Sequence, residues 1–187
     1  MRESQPIRNS TEAEKNAPEK MEFSFLLVKP NATKVGLVGV LRQELIEAGF
    51  DIVEDQKIRI SRHAAEVFYS SLGEKKEPVI EHITSGDSHV FMVHGLGAIK
   101  KLREFQGHTT WKDRQARGLR GKYAIDHIQN SVHCPDSHKE AALELEEVFT
   151  ELNEKMLKSQ LADEVVEFLS DTEAIEKGER YLSAYAV

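Results

Sequence analysis

A chain of 187 residues with 40% hydrophobic and 30% charged residues can bury one core of useful size, with terminal additions. Its formal net charge of −7 argues against general affinity for nucleic acid or anionic membranes, and no apolar run approaches the roughly 20 residues of a membrane span. The lone Cys134 cannot close an internal disulfide and the polar N-terminal stretch has no apolar secretory region, so composition predicts a soluble, cytoplasmic protein.

Residues 1–20 mix Glu, Lys, Ser, Asn and Pro and read as a mobile tail, in which Thr11 and Glu14 can cap a short helical turn. Order is predicted to begin with the apolar run from Glu22 to Val28, which suits a central strand; Pro30 ends it, having no amide to give a sheet. Leu37, Val38, Leu41, Leu45 and Ile46 recur at helical spacing, and Gly49 follows as a C-cap. Phe50–Val53 and Lys57–Ile60 alternate as half-exposed strand does, and Ser61 can cap a helix running to about Ser71. A short helix over Pro78–Thr84, a strand over Ser88–His94 and a helix over Ala98–Gln106 come next.

Residues 107–122 are rich in Arg, Lys and Gly without a clear period and read as a long loop, a feature that is usually functional in a compact domain. A short strand around His133 precedes a helix from about Ser137 to Leu152, for which Ser137 and Glu140 form a capping box. Beyond Asn153 the chain is acidic. Leu161, Val165, Val166, Phe168 and Leu169 make an apolar stripe that docks on the parent domain, and Ser170 with Glu173 is another potential box. The division is therefore a tail (1–20), a main domain (21–152) and a helical extension (153–187). Strands and helices in this order fit a ferredoxin-like split βαβ fold, with a four-stranded antiparallel sheet covered by helices. The first strand lacks a Gly-rich phosphate fingerprint, which counts against a Rossmann or P-loop domain.

Two segments concentrate the chemistry. Asn130-Ser131-Val132-His133-Cys134-Pro135-Asp136-Ser137 sets a histidine just ahead of a helix-starting Asp/Ser pair. Val28-Lys29-Pro30-Asn31-Ala32-Thr33-Lys34 follows the first strand with a lysine and a proline. Read together they resemble the active-site signature of nucleoside diphosphate kinases, and the likeness runs from about Phe23 to Phe149.

The resemblance implies phosphoryl transfer between nucleoside triphosphates and diphosphates through a phosphohistidine. His133 would be the nucleophile, with Tyr69 beside it and Glu144 orienting its ring. Lys29, Arg103, Thr109 and Arg120 would hold the phosphates, Asn130 the sugar hydroxyl, and Val79 would supply an aliphatic wall for the base. Mg²⁺ would arrive on the nucleotide phosphates, with no metal ligands from the protein. The family commonly assembles as homo-oligomers, so a hexamer, tetramer or dimer is expected. Histidine suits the role because its unperturbed pKa of about 6.5 leaves it neutral near pH 7. Singly, Lys29, Arg103 and Arg120 would be solvated surface charges, and Glu144 lies on a charged helix with Glu146 and Glu147. The joint order and spacing outweigh those readings.

Three departures accompany the likeness. Cys134-Pro135 stands where the family has a small residue and serine, so a hydroxyl that helps hold the phosphate or histidine is lost. The segment Gly73–Pro78 is shortened and lacks the phenylalanine that stacks on the base. Thr110-Trp111 and Ala116–Leu119 replace the usual Pro-Gly approach to the last arginine, in a loop that helps build the oligomer. Reduced activity is expected, and a catalytically weak member serving as a nucleotide-sensing or assembly module is the alternative. Nucleic-acid binding through Lys112, Arg114, Arg117, Arg120 and Lys122 is disfavoured by the overall acidity. Cys134, beside cationic groups, is either a redox-responsive thiol or a small apolar filler.

Overall fold

In the computed structural model, residues 19–69, 72–73, 76–108, 118–147, 149 and 157–170 are described. The organising element is β1 (Met21–Val28), whose last six residues are all buried. Its continuous apolar sequence has that pattern because both faces of the strand are covered. β1 pairs antiparallel with β3 (Ser88–Leu96) on one side and β4 (Val132–His133) on the other, while β2 (Asp51–Ile58) lies along the outer side of β3. The sheet order is β2-β3-β1-β4, as a ferredoxin-like split βαβ arrangement requires.

Strand alternation sorts the core into two layers. Phe23, Phe25 and Leu27 pack with Ile80, Ile83, Ala141, Leu145 and Phe168, contributed by α4 (Glu77–Thr84), α7 (His138–Glu147) and α8 (Ala162–Leu169). α3 (Arg62–Phe68) joins this face through Ala64, Ala65 and Phe68. Leu26 and Val28 turn the other way, to Leu41 and Leu45 of α2 (Val38–Glu47) and Leu102 of α5 (Ala98–Gln106).

Caps read from sequence account for several boundaries. Ser61 Oγ accepts the Ala64 amide at 3.1 Å and starts α3. Gly49, at φ +84°, closes α2: its amide bonds to the Ile46 carbonyl and that of Phe50 to the Leu45 carbonyl, both at 3.0 Å. At the start of α7 Ser137 Oγ accepts the Glu140 amide at 3.2 Å, but the Glu140 carboxylate reaches back to the amide of Asp136 at 2.8 Å, one residue before its expected partner.

Other expectations are corrected. Pro30 does not merely end β1; it opens a short helix, α1 (Pro30–Lys34), where its missing amide costs nothing. The two stretches read around 50–60 form one strand, irregular between Ile52 and Glu54. The helix begun by Ser61 stops at Phe68. The loop expected over 107–122 contains α6 (Gly118–Tyr123), too short to show a period, and anchored by Leu119, which is 1% exposed. Gly118 is needed there: a Cβ would stand 2.7 Å from the Gly107 Cα. Ser170 ends α8, its amide bonding to the Val166 carbonyl at 2.9 Å; the box read for it with Glu173 lies outside the described residues, as do Thr11 and Glu14.

The C-terminal stripe docks on the parent domain. Val165 is fully buried and Phe168 5% exposed, with the Phe168 ring edge-on to Phe23 at 5.6 Å. His138 Nε2 donates to the Phe168 carbonyl at 2.9 Å and ties α8 to α7. No helix among the described residues is long and apolar enough to cross a membrane.

Candidate active site

The C-terminal end of β1 and the short β4 meet at Lys29 and His133. Register does the placing. Val132 lies opposite Val28 and His133 opposite Leu27, so Val132 enters one core layer while His133 faces the layer that holds α7. There His133 packs edge-on to Phe68, with ring centroids 5.0 Å apart, and lies near Phe25 and Tyr69. Glu144, between one and two turns beyond the start of α7, reaches the ring. The Nε2 nitrogen of His133 is 3.0 Å from one carboxylate oxygen and 3.3 Å from the other.

The two side chains are only 16% and 10% exposed. Burial, reinforced by the charges of Lys29 and Arg120, pulls the imidazole down to about 3, so the ring is neutral at physiological pH. Burial also holds the Glu144 carboxyl well above its ordinary value, with Asp136 adding to the effect. The contact engages Nε2 and leaves Nδ1 as the other ring nitrogen.

Two cations are not solvated surface groups. Lys29 is 2% exposed, donates from Nζ to Asn130 Oδ1 at 2.8 Å and lies 5.5 Å from the centre of the Tyr69 ring. Burial first, then the neighbouring Arg120 charge, brings its ammonium down to about 7. Arg120 is 5% exposed and donates from Nε and Nη2 to the Val132 carbonyl at 3.2 and 3.0 Å. Burial lowers it to about 10, which leaves it charged. Arg103, a third exposed, is held through Nε by Asp136 Oδ1 at 2.6 Å.

Tyr69 caps α3 with a buried hydroxyl that has no hydrogen-bond partner among the described residues, and burial raises its phenol. Cys134 is 1% exposed and its thiol is pushed up to about 12 by burial, so it is an apolar filler rather than a reactive thiol. Pro135 is buried beside it. Val79 is half-buried against the core and Thr109 lies outside the described residues. Of the basic residues in and after this loop, Lys122 pairs with Glu44 at 2.6 Å and Arg120 is buried; residues 112–117 lie outside the described residues.

A half-buried, neutral histidine with an oriented ring, beside two buried cations and an asparagine, is equipped for transfer of an anionic group. The nucleoside diphosphate kinase family profile matches residues 22–153. The chain belongs to the nucleoside diphosphate kinase family.

A nucleoside diphosphate kinase from Methylobacterium sp. (strain 4-46) is 34% identical over 133 residues, covering 70% of this chain and 95% of that relative. One from Actinobacillus pleuropneumoniae serotype 3 (strain JL03) is 35% identical over 132 residues, or 70% and 96%. Among solved structures, the Aquifex aeolicus nucleoside diphosphate kinase superposes with a TM-score of 0.62 at 26% identity, over 69% of this chain and 99% of that one. The halophilic nucleoside diphosphate kinase from Halobacterium salinarum, solved in complex with CDP, gives 0.61 at 27%, over 68% and 86%. α8 lies beyond the residues the family profile matches.

Within this nucleoside diphosphate kinase family member, several residues not singled out from sequence complete the cluster. Asp136 holds Arg103, and Asn31 joins His82 to Ser131, with 3.0 Å from Oδ1 to His82 Nε2 and 2.9 Å from Nδ2 to Ser131 Oγ. Asn31 and Asp136 sit inside the two motif segments, which is the only signal that could have marked them. His82 carries none. A cavity of about 670 Å³ adjoins the cluster, walled by Pro30, Asn31, Lys57, His82, Asp87 and Gln129; His133 is not among its described walls.

Proposed function

We propose that this chain is a nucleoside diphosphate kinase working by a ping-pong exchange through His133. The carrying observation is the contact of His133 Nε2 with Glu144 in a buried setting, which leaves Nδ1 as the nucleophile. The Nδ1 lone pair forms a bond to the γ-phosphorus of a magnesium-bound triphosphate. The bond from that phosphorus to the bridging oxygen breaks, its electron pair leaving with the diphosphate. Positive charge on the phosphorylated ring is shared through Nε2–H with Glu144. A terminal oxygen of a second diphosphate then attacks the phosphohistidine and reverses the steps.

Lys29, Arg103 and Arg120 neutralise and position the phosphates, together with Thr109; most of the catalysis in phosphoryl transfer comes from such positioning. Tyr69 offers its protonated phenol beside the ring, Asn130 holds the sugar hydroxyl, and Val79 lines the base. Magnesium is carried in on the nucleotide phosphates as part of the substrate, where it neutralises their charge. Pro135 offers neither hydroxyl nor amide hydrogen to the transferring phosphate, so turnover is reduced. A module that only sensed nucleotide or assembled with partners would need no such oriented nucleophile.

The test is incubation with Mg²⁺ and γ-labelled ATP, followed by assay for acid-labile, alkali-stable label on the protein. Label absent from His133→Ala and discharged by GDP is the expected result. Binding of nucleotide without label would turn the reading to the sensing module.

A further inference from the structure

Ser131 stands between Asn130 and His133 at φ 68°, the sole non-glycine in the left-handed region among the described residues. The Val132 amide bonds to the Asn130 carbonyl at 2.9 Å, which closes a three-residue γ-turn around it. The positive-φ form of that turn is rare and strained, and persists only where the surroundings over-determine it. Glycine would be the relaxed choice, yet a serine occupies the position and is fully buried.

Its surroundings explain the choice. Ser131 Oγ donates to the Tyr123 carbonyl at 2.6 Å and accepts from Asn31 Nδ2 at 2.9 Å. The Ser131 carbonyl accepts the Lys29 amide at 2.8 Å. Asn31 is itself braced by His82 and, more loosely, by the Gln129 carbonyl at 3.4 Å. One residue thus joins four parts of the fold: its side chain ties α1 and the end of α6 to the turn that aims Asn130 one way and His133 the other, and its carbonyl ties that turn to the end of β1.

We propose that Ser131 is a positioning residue whose hydroxyl, braced by Asn31 and the Tyr123 carbonyl, holds the strained turn that sets His133 against Glu144 and Asn130 against Lys29. The inference rests on the phosphohistidine reading for its catalytic consequence, though not for its geometry. Two variants separate the hydroxyl from the strain. Ser131→Ala keeps a Cβ, hence the strained φ, and deletes the hydroxyl; Ser131→Gly deletes both the hydroxyl and the strain.

Single-turnover labelling of His133 at saturating MgATP is expected to fall roughly tenfold or more in both, since small misplacements of reacting groups carry penalties of that size. Ser131→Gly recovers melting temperature relative to Ser131→Ala without recovering rate. Nitrogen-15 spectra of the ring distinguish positioning from bulk stability. Wild type is expected to show the Nε2–H tautomer at His133, and Ser131→Ala a mixture. A labelling rate within twofold of wild type in Ser131→Ala, recovery of rate in Ser131→Gly, or an unchanged ring signature in Ser131→Ala would each overturn the proposal. If wild type itself takes no label, the kinase reading falls on its own, and the ring signature still decides the role of Ser131.

Discussion

Lys29 Nζ donates to Asn130 Oδ1 at 2.8 Å across a separation of 101 residues, in a site where the lysine is 2% exposed. A neutral amide cannot compensate a buried ammonium as a carboxylate would, and the nearby Arg120 opposes the charge further. The ammonium is therefore brought down to about 7 from the ordinary 10.5.

The sign of the resulting pH dependence follows directly. The free protein loses the Lys29 proton as pH rises through about 7, and the charged form binds phosphate better. Apparent nucleotide affinity is expected to weaken about tenfold between pH 6 and pH 8, the change in protonated fraction for a group titrating near 7. Lys29→Arg, whose guanidinium stays charged, should flatten the profile. A wild-type KM that does not vary over this range would contradict the assignment.

Glu144→Gln keeps the shape of the partner at His133 Nε2 but cannot share the charge of a phosphorylated ring. The labelling rate should drop roughly 10²-fold, a typical loss for a group acting in proton management, with KM nearly unchanged. The neutral state of His133 has its own consequence. Its folded value is depressed to about 3 while the unfolded chain takes a proton near 6.5. Stability from this site is present above about pH 6.5 and is lost as pH falls towards 3, and an acid titration by circular dichroism of wild type against His133→Ala measures it.

Asp136 grips Arg103 through Nε at 2.6 Å. Asp136→Ala frees that side chain. Because the aspartate is 56% exposed, the pair is weak, and a rise of roughly two- to fivefold in nucleotide KM is expected with kcat little changed. Steady-state kinetics check it.

Pro135→Ser restores a hydroxyl and an amide hydrogen next to the nucleophile's strand. If the missing donor limits the reaction, turnover should rise about tenfold, in line with other preorganised donors. Unchanged turnover would mean that Tyr69 and the cations already supply what the serine would.

Phe168→Ala tests whether α8 is integral to the domain. The ring fills the space between Phe23 and His138, and its removal should cost about 3 kcal/mol by denaturant unfolding. An exposed, loosely held helix would lose almost nothing.

The linear chain by itself determined the fold class, because β1 is apolar on both faces and the remaining strands and helices declare their period, and it determined the family, because the Lys29 and His133 segments recur at a defined separation. Short elements escaped it: α1 and α6 have too few residues to display a repeat, and their stability comes from Ala32 and Leu119 entering the core. Only the tertiary structure decided which charges are buried. Nothing local distinguishes Lys29 and Arg120 from solvated cations, or Cys134 from a reactive thiol, since burial and neighbouring charge come from residues a hundred positions away. The strained turn at Ser131 is likewise invisible in sequence, because a serine adopts positive φ only when contacts from Asn31, Tyr123 and Lys29 together outweigh the local preference of its own backbone.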